Sequence, residues 1–170
     1  MASMTQPVLR ISGITKRFGM LVANDSISFS LMPGEVIALL GENGAGKTML
    51  MNILFGHYVA DEGEVEAFGK LLPPGDLRAA LDAGIGMVHQ HFTLADNMTV
   101  LENIALGTQS PWSWRLDRAA ARARIRELAR DFGLGVEPDR PVSALSVGER
   151  QRVEILKALY RDAKVLILDE

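Results

Sequence analysis

The chain has 170 residues, of which 48% are hydrophobic and 23% charged, and its formal net charge is −3. That length supports one domain with a buried core, or a domain with a small satellite, in an ordinary globular composition. The acidic balance weighs against a duplex-binding protein, the absence of cysteine excludes disulfides and thiolate metal sites, and no apolar stretch approaches the length of a membrane span.

The opening "MASMTQPVLR" lacks the apolar core of a signal peptide. The expectation is therefore a soluble, cytoplasmic chain able to dock on a membrane partner. Residues 8 to 31 alternate loosely between apolar and polar and stop at "MPGE", which predicts two or three antiparallel strands. The run Val36-Ile37-Ala38-Leu39-Leu40 predicts a strand buried on both faces. From Lys47 through Phe55, the spacing of Leu50, Met51, Leu54 and Phe55 predicts a helix.

Between that strand and that helix lies Gly41-x-x-x-x-Gly46-Lys47-Thr48. A strand, a glycine-rich turn and a helix start form the context of a phosphate-binding loop. Glycines let the backbone curl around an anion with successive N–H groups aimed inward, and the helix start adds free N–H groups and the positive end of its dipole. Lys47 can reach outer phosphates as a point charge, and Thr48 can offer its hydroxyl to Mg²⁺. The competing reading is a glycine-rich turn that happens to hold a lysine, and the flanking elements disfavour it.

Further on, "DEGEVEAFGK" reads as a turn and a short strand. Pro73-Pro74-Gly75 breaks the chain before a short helix to Asp82, capped by Asp76. A short strand centres on Ile85 to Val88. From Leu94 to Tyr160 the pattern is helical only. Thr99 and Glu102 form a capping box, Asp117 caps a helix with Ile125, Leu128, Ala129 and Phe132 on one face, and Ser146 with Glu149 starts a helix to about Tyr160. The final "KVLILDE" is again a strand. A helical insert over 93–160 thus divides an α/β core formed by 1–92 and 161–170.

Several features have a plain structural reading. Arg118, Arg122, Arg126 and Arg130 recur every four residues and drift around their helix, as a solvated face does, in preference to a site for an acidic partner. Trp112 and Trp114 read as loop anchors. His89 and His91 lack a nearby carboxylate or cysteine, which disfavours a metal site. Asp169-Glu170 closes the last strand, at the edge where open α/β sheets bind ligands. An aspartate there can hold Mg²⁺ through water, and a glutamate one residue on can polarise an attacking water.

Taken together, these residues resemble the ATP-binding cassette ATPases over nearly the whole chain. "GENGAGKT" is similar to their Walker A motif, "VHQHF" to their Q-loop, "LSVGERQRVEILKAL" to their signature motif and its helix, and "VLILDE" to Walker B. The sets "MVHQHF", "TVLENIALG" and "GERQRVEILKALYR" resemble most the ATPases of simple-sugar and nucleoside importers, where two cassettes are often fused and this chain would match the first. The resemblance implies a P-loop NTPase core with a mixed sheet, an N-terminal antiparallel β subdomain and an inserted helical subdomain. It implies ATP and Mg²⁺ as ligands. Gly41, Glu42, Asn43, Gly44, Ala45, Gly46, Lys47, Thr48 and Met49 would hold the phosphates, and Phe18 would stack on adenine. Thr48, Gln90 and Asp169 would hold the metal, Gln90 would also sense the γ-phosphate, and Glu170 would act as general base beside Lys47. Ser146 and Gly148 would contact the γ-phosphate bound to the opposite cassette. The implied partners are transmembrane permease subunits, a second cassette arranged head to tail and, indirectly, a solute-binding protein. Nucleic acid is not among them. The implied place is the inner face of the cell membrane, held through the permease.

Two positions depart from the family's pattern. Val147 stands where glycine is usual and Glu149 where glutamine is, so a side chain and a negative charge are expected beside an approaching triphosphate. The chain also stops at Glu170, ahead of the family's dimer loop and histidine. The expectation is a fragment of a longer ATPase, lacking the C-terminal part of its core, that binds nucleotide weakly and turns it over poorly. A binding module without catalysis, a soluble cassette ATPase acting on nucleic acid or ribosomes, and a simple P-loop kinase are the competing readings.

Overall fold

The computed structural model describes residues 6–89, 93–106 and 117–169. Contacts divide the chain into two compact units, Met1–Ile85 and Gly86–Glu170.

In the first unit the loose alternation resolves into two strands, β1 (Leu9–Phe18) and β2 (Leu21–Leu31), joined by a tight hairpin and paired antiparallel with Leu9 opposite Leu31 and Phe18 opposite Leu21. β3 (Glu62–Ala67) pairs antiparallel on the other side of β1, with Leu9 opposite Ala67 and Ile11 opposite Val65. The two-residue β4 (Lys70–Leu71) completes the order β2-β1-β3-β4. Leu9, Ile11, Val65 and Ala67 are buried, as the two-residue repeat of a one-sided sheet requires. The register shifts between Ile11 and Ile14. There Gly63 lies so close to Gly13 that a side chain at 63 would sit 2.5 Å from the Gly13 backbone.

The strand expected over Val36 to Leu40 does not form. The segment is irregular, and Val36 and Leu40 are each 93% exposed. A strand is held by a neighbour's N–H and C=O groups, and no described strand pairs with this run. Helix α1 (Lys47–Leu54) does form and buries Leu50, Ile53 and Leu54. Helix α2 (Leu77–Asp82) begins at the expected cap, where Asp76 accepts from the Ala79 N–H at 2.9 Å.

The second unit is built on α3 (Val100–Ala105), α4 (Arg118–Asp131) and α5 (Val147–Tyr160), with one 3-10 turn at Val142–Ala144. Leu101, Ile104, Ile125, Val153 and Leu156 are fully buried at their shared core. Both expected capping boxes are present, Thr99 with Glu102 and Ser146 with Glu149, and Asp117 accepts from the N–H groups of Ala119 and Ala120. Phe132 departs from expectation: it is the C-terminal cap of α4, and its ring is exposed. The arginine row is solvated and locally paired. Arg122 grips both oxygens of Asp139 at 2.9 and 2.7 Å, Arg126 meets Glu137 and Arg118 meets Glu102. β5 (Ile85–Val88) lies beside β6 (Val165–Leu168). Their carboxyl ends are adjacent, with the Asp169 N–H donating to Val88 O at 3.0 Å.

Candidate functional site

The loop from Gly41 to Thr48 is shaped by three local demands. The Ala45 N–H donates back to Glu42 O at 3.1 Å and closes a turn. Gly44 and Gly46 take positive φ, 86° and 81°, which L side chains adopt only with strain. Gly46 also packs directly on β2, where a Cβ would fall 2.0 Å from Ala23 O. No larger residue fits there without moving the backbone. The Asn24 side chain fixes the same point by donating from Nδ2 to Gly46 O at 3.1 Å.

That geometry leaves α1 starting at a residue without a side chain, so its first N–H groups have no side-chain cap. Uncapped N–H groups and a positive dipole end are what an anion needs. The Lys47 ammonium lies over the loop, donating to Gly41 O at 2.6 Å and to Glu42 O at 3.0 Å. Glu42, Asn43, Gly44 and Ala45 are exposed, as is Thr48 in the first turn of α1, with Met49 half-buried after it. The donor set is dense, cationic and accessible, and it fits a polyphosphate. The expected loop is therefore assembled in the absence of the expected strand before it. Phe18, at the end of β1, is 45% exposed, and the Lys16 ammonium lies over one face of its ring, 5.5 Å from the centroid.

The second unit carries the other candidates. Ser146 caps α5, accepting from the Glu149 N–H at 3.3 Å, while Glu149 Oε2 accepts from the Ser146 N–H at 2.8 Å and its hydroxyl at 2.9 Å. Gly148 faces open space, and Val147 projects into solvent. The Glu149 charge is not left bare. Arg140 Nη1 donates to Glu149 Oε1 at 2.6 Å and Nη2 to Ala144 O at 2.6 Å. The Ser146 N–H, its hydroxyl and then the Arg140 guanidinium hold the Glu149 carboxyl down at about 2. Sequence reasoning missed Arg140, which sits outside any helix, and Asn24, which lies on a strand far from the loop it supports. Neither position carries a periodic or motif signal.

Asp169 follows β6 directly. Gln90 and Glu170 lie outside the described residues, as do His91, Trp112 and Trp114. Among the described residues no group of three or more His, Asp or Glu is arranged to hold a metal. A hydroxyl such as Thr48 with one carboxylate suits Mg²⁺, which keeps several waters and takes phosphate oxygens as ligands. Among the described residues no helix is long and apolar enough to cross a membrane.

The sequence pattern of the ABC transporter family matches residues 24–170. The nucleoside import ATP-binding protein NupA of Lactococcus lactis is 52% identical over 165 residues, covering 97% of this chain and 33% of the relative. The guanosine import ATP-binding protein NupO of Bacillus subtilis is 46% identical, covering 96% of this chain and 32% of the relative. A ribose import ATP-binding protein of Rubrobacter xylanophilus is also 46% identical. The crystal structure of the ADP conformation of MJ1267, an ATP-binding cassette of an ABC transporter, superposes with a TM-score of 0.84 at 30% identity, over 98% of this chain and 69% of that one. The chain spans about a third of the length of the curated relatives it matches.

Proposed function

The chain belongs to the ABC transporter family and has its P-loop cassette fold, and we propose that it is the ATP-binding part of an importer that couples ATP hydrolysis to uptake of a nucleoside or simple sugar. One observation carries this reading above the others. The Gly41–Thr48 loop presents an uncapped helix start and the Lys47 ammonium on a turn that only glycine at 46 can make. The import relatives support the choice of cargo class, because their printed names specify nucleosides, guanosine and ribose.

The roles follow from chemistry. Lys47 and the amides from Gly41 to Met49 neutralise and orient the outer phosphates, and Phe18 stacks on the adenine. The Thr48 hydroxyl, Gln90 and the Asp169 carboxylate serve as Mg²⁺ ligands. Bound Mg²⁺ supplies charge neutralisation on the phosphate oxygens as the terminal bond breaks. Glu170 accepts the proton of the attacking water, and Gln90 reports the γ-phosphate to a permease. Ser146 and Gly148 meet the γ-phosphate held by a second cassette. The Arg140–Glu149 pair supports that last role, since the carboxylate expected to repel a phosphate carries its own counter-charge. Residues 93–160 serve as the helical subdomain that carries the Ser146 helix, the partners are permease subunits, and a solute-binding protein delivers cargo outside. The site of action is then the inner face of the membrane.

The reading is tested by measuring solute-stimulated phosphate release from the full-length protein reconstituted with its permease, with and without Glu170→Gln. Removal of a general base is expected to lower turnover ~100-fold or more while nucleotide still binds. Phosphate release that no nucleoside or sugar stimulates, or that survives Glu170→Gln unchanged, would overturn it.

A further inference from the structure

Among the described residues one buried side-chain atom lacks a hydrogen-bond partner, Asn24 Oδ1. Asn24 lies on β2 and is 6% exposed. Its cross-strand neighbour Lys16 gives its ammonium to Asp61 at 2.9 Å. The nitrogen end of the Asn24 amide is committed, with Nδ2 donating to Gly46 O at 3.1 Å. Chemistry fixes that orientation, because a backbone carbonyl only accepts and the amide nitrogen is the donor. Stability does not explain the arrangement. Gly46 O also accepts the Leu50 N–H at 3.0 Å, so it keeps a partner without Asn24. An apolar side chain of the same branched shape would lose one modest bond and remove a buried unpaired acceptor, an exchange near neutral or favourable.

The carbonyl that Asn24 holds belongs to the first peptide of α1. A helix start is ordinarily fixed by a side chain that accepts from its first N–H groups. Such a cap would occupy the donors that an anion needs. At α1 the cap is Gly46, which has no side chain and the widest backbone freedom of any residue. Asn24 reaches the same peptide from its acceptor side. That peptide is trans, and a trans peptide is planar with its C=O and N–H pointing in opposite directions. Fixing Gly46 O on Asn24 therefore aims the Lys47 N–H away from β2. We propose that Asn24 is a positioning residue for phosphate binding, acting through Gly46. It holds the 46–47 peptide in the direction an anion requires and leaves the N–H groups of the loop uncapped. A loop already set in its bound form has less ordering left to do and binds more tightly. The role rests on the reading of Gly41 to Met49 as the phosphate site for ATP.

The test compares wild type and Asn24→Leu in the full-length protein, by calorimetric titration and by urea unfolding. The binding component that disappears in Lys47→Ala defines this site. For that component Asn24→Leu is expected to weaken Mg·ATP about five- to tenfold, while the urea midpoint stays at or above that of wild type. Inorganic tripolyphosphate, which has no base, should weaken by the same factor, because the effect lies at the loop and not at Phe18. If Asn24→Leu does not fold, Asn24→Asp, of the same size without the amide donor, carries the same comparison. Wild-type affinity for both ligands in the variant overturns the role of Asn24 alone. So does a loss for Mg·ATP that tripolyphosphate does not share, or a lowered urea midpoint with affinity unchanged, which is what a merely structural residue would give. A wild type that binds Mg·ATP no more tightly than Lys47→Ala overturns the reading of the loop itself, and the role of Asn24 with it.

Discussion

Glycine 46 is the residue whose role is easiest to read from the sequence, because its constraint is local. A positive φ and a backbone oxygen 2.0 Å from any Cβ both follow from a loop that must turn sharply into a helix. Glu149 is the opposite case. Its spacing from Ser146 predicts a capping box and its charge predicts repulsion of a phosphate, whereas in the structure Arg140 Nη1 donates to its carboxylate at 2.6 Å. A partner nine positions upstream on irregular backbone leaves no trace in periodicity. The depressed pKa makes this pair testable. Its folded value of about 2 lies below the reference of 4.5, so the contribution to stability is full above about pH 4.5 and fades as pH falls toward 2. Urea melts of wild type and Glu149→Gln should therefore differ at pH 6, and the gap should close as the pH drops to about 2. A gap that stays constant across that range would mean that the carboxylate is not ionised and paired as described.

Among the elements, helices were legible and one strand was not, for a physical reason. A helix satisfies its own backbone and announces its start through side chains three residues apart, as Thr99–Glu102 and Ser146–Glu149 do. A strand depends on a neighbour, and an apolar run carries no information about whether that neighbour is present. Val36 to Leu40 has the composition of a buried strand and the exposure of an unpaired segment. β5 and β6, equally short, do pair. Within the helical core Ile125 has no exposed surface, whereas Leu166 on β6 is 38% exposed. Ile125→Ala should cost ~2–5 kcal/mol in equilibrium urea unfolding, and Leu166→Ala markedly less. Equal costs would mean that the three-helix cluster is not the stabilising core of its unit.

At the scale of the whole molecule, motif order was the strongest signal. The stretches that resemble Walker A, the Q-loop, the signature and Walker B follow one another in that order along a chain that belongs to the ABC transporter family. The Gly41–Thr48 loop lies in one compact unit and α5 with Asp169 in the other. The sequence pattern places its boundaries by secondary-structure type, at 92 and 160, which is a different division from one by contacts. Family membership is legible in the sequence because a phosphate-binding loop uses backbone and a few charged groups at fixed spacing.

The claim on which all else depends is that the loop from Gly41 to Met49 holds the phosphates of ATP. Isothermal titration of Mg·ATP into wild type and Lys47→Ala, each checked for native circular dichroism, tests it most directly. The account predicts saturable binding by wild type, weakened about tenfold or more when the lysine's charge-assisted contacts are removed. Equal affinity in the two proteins, or no binding by a folded wild type, would contradict it.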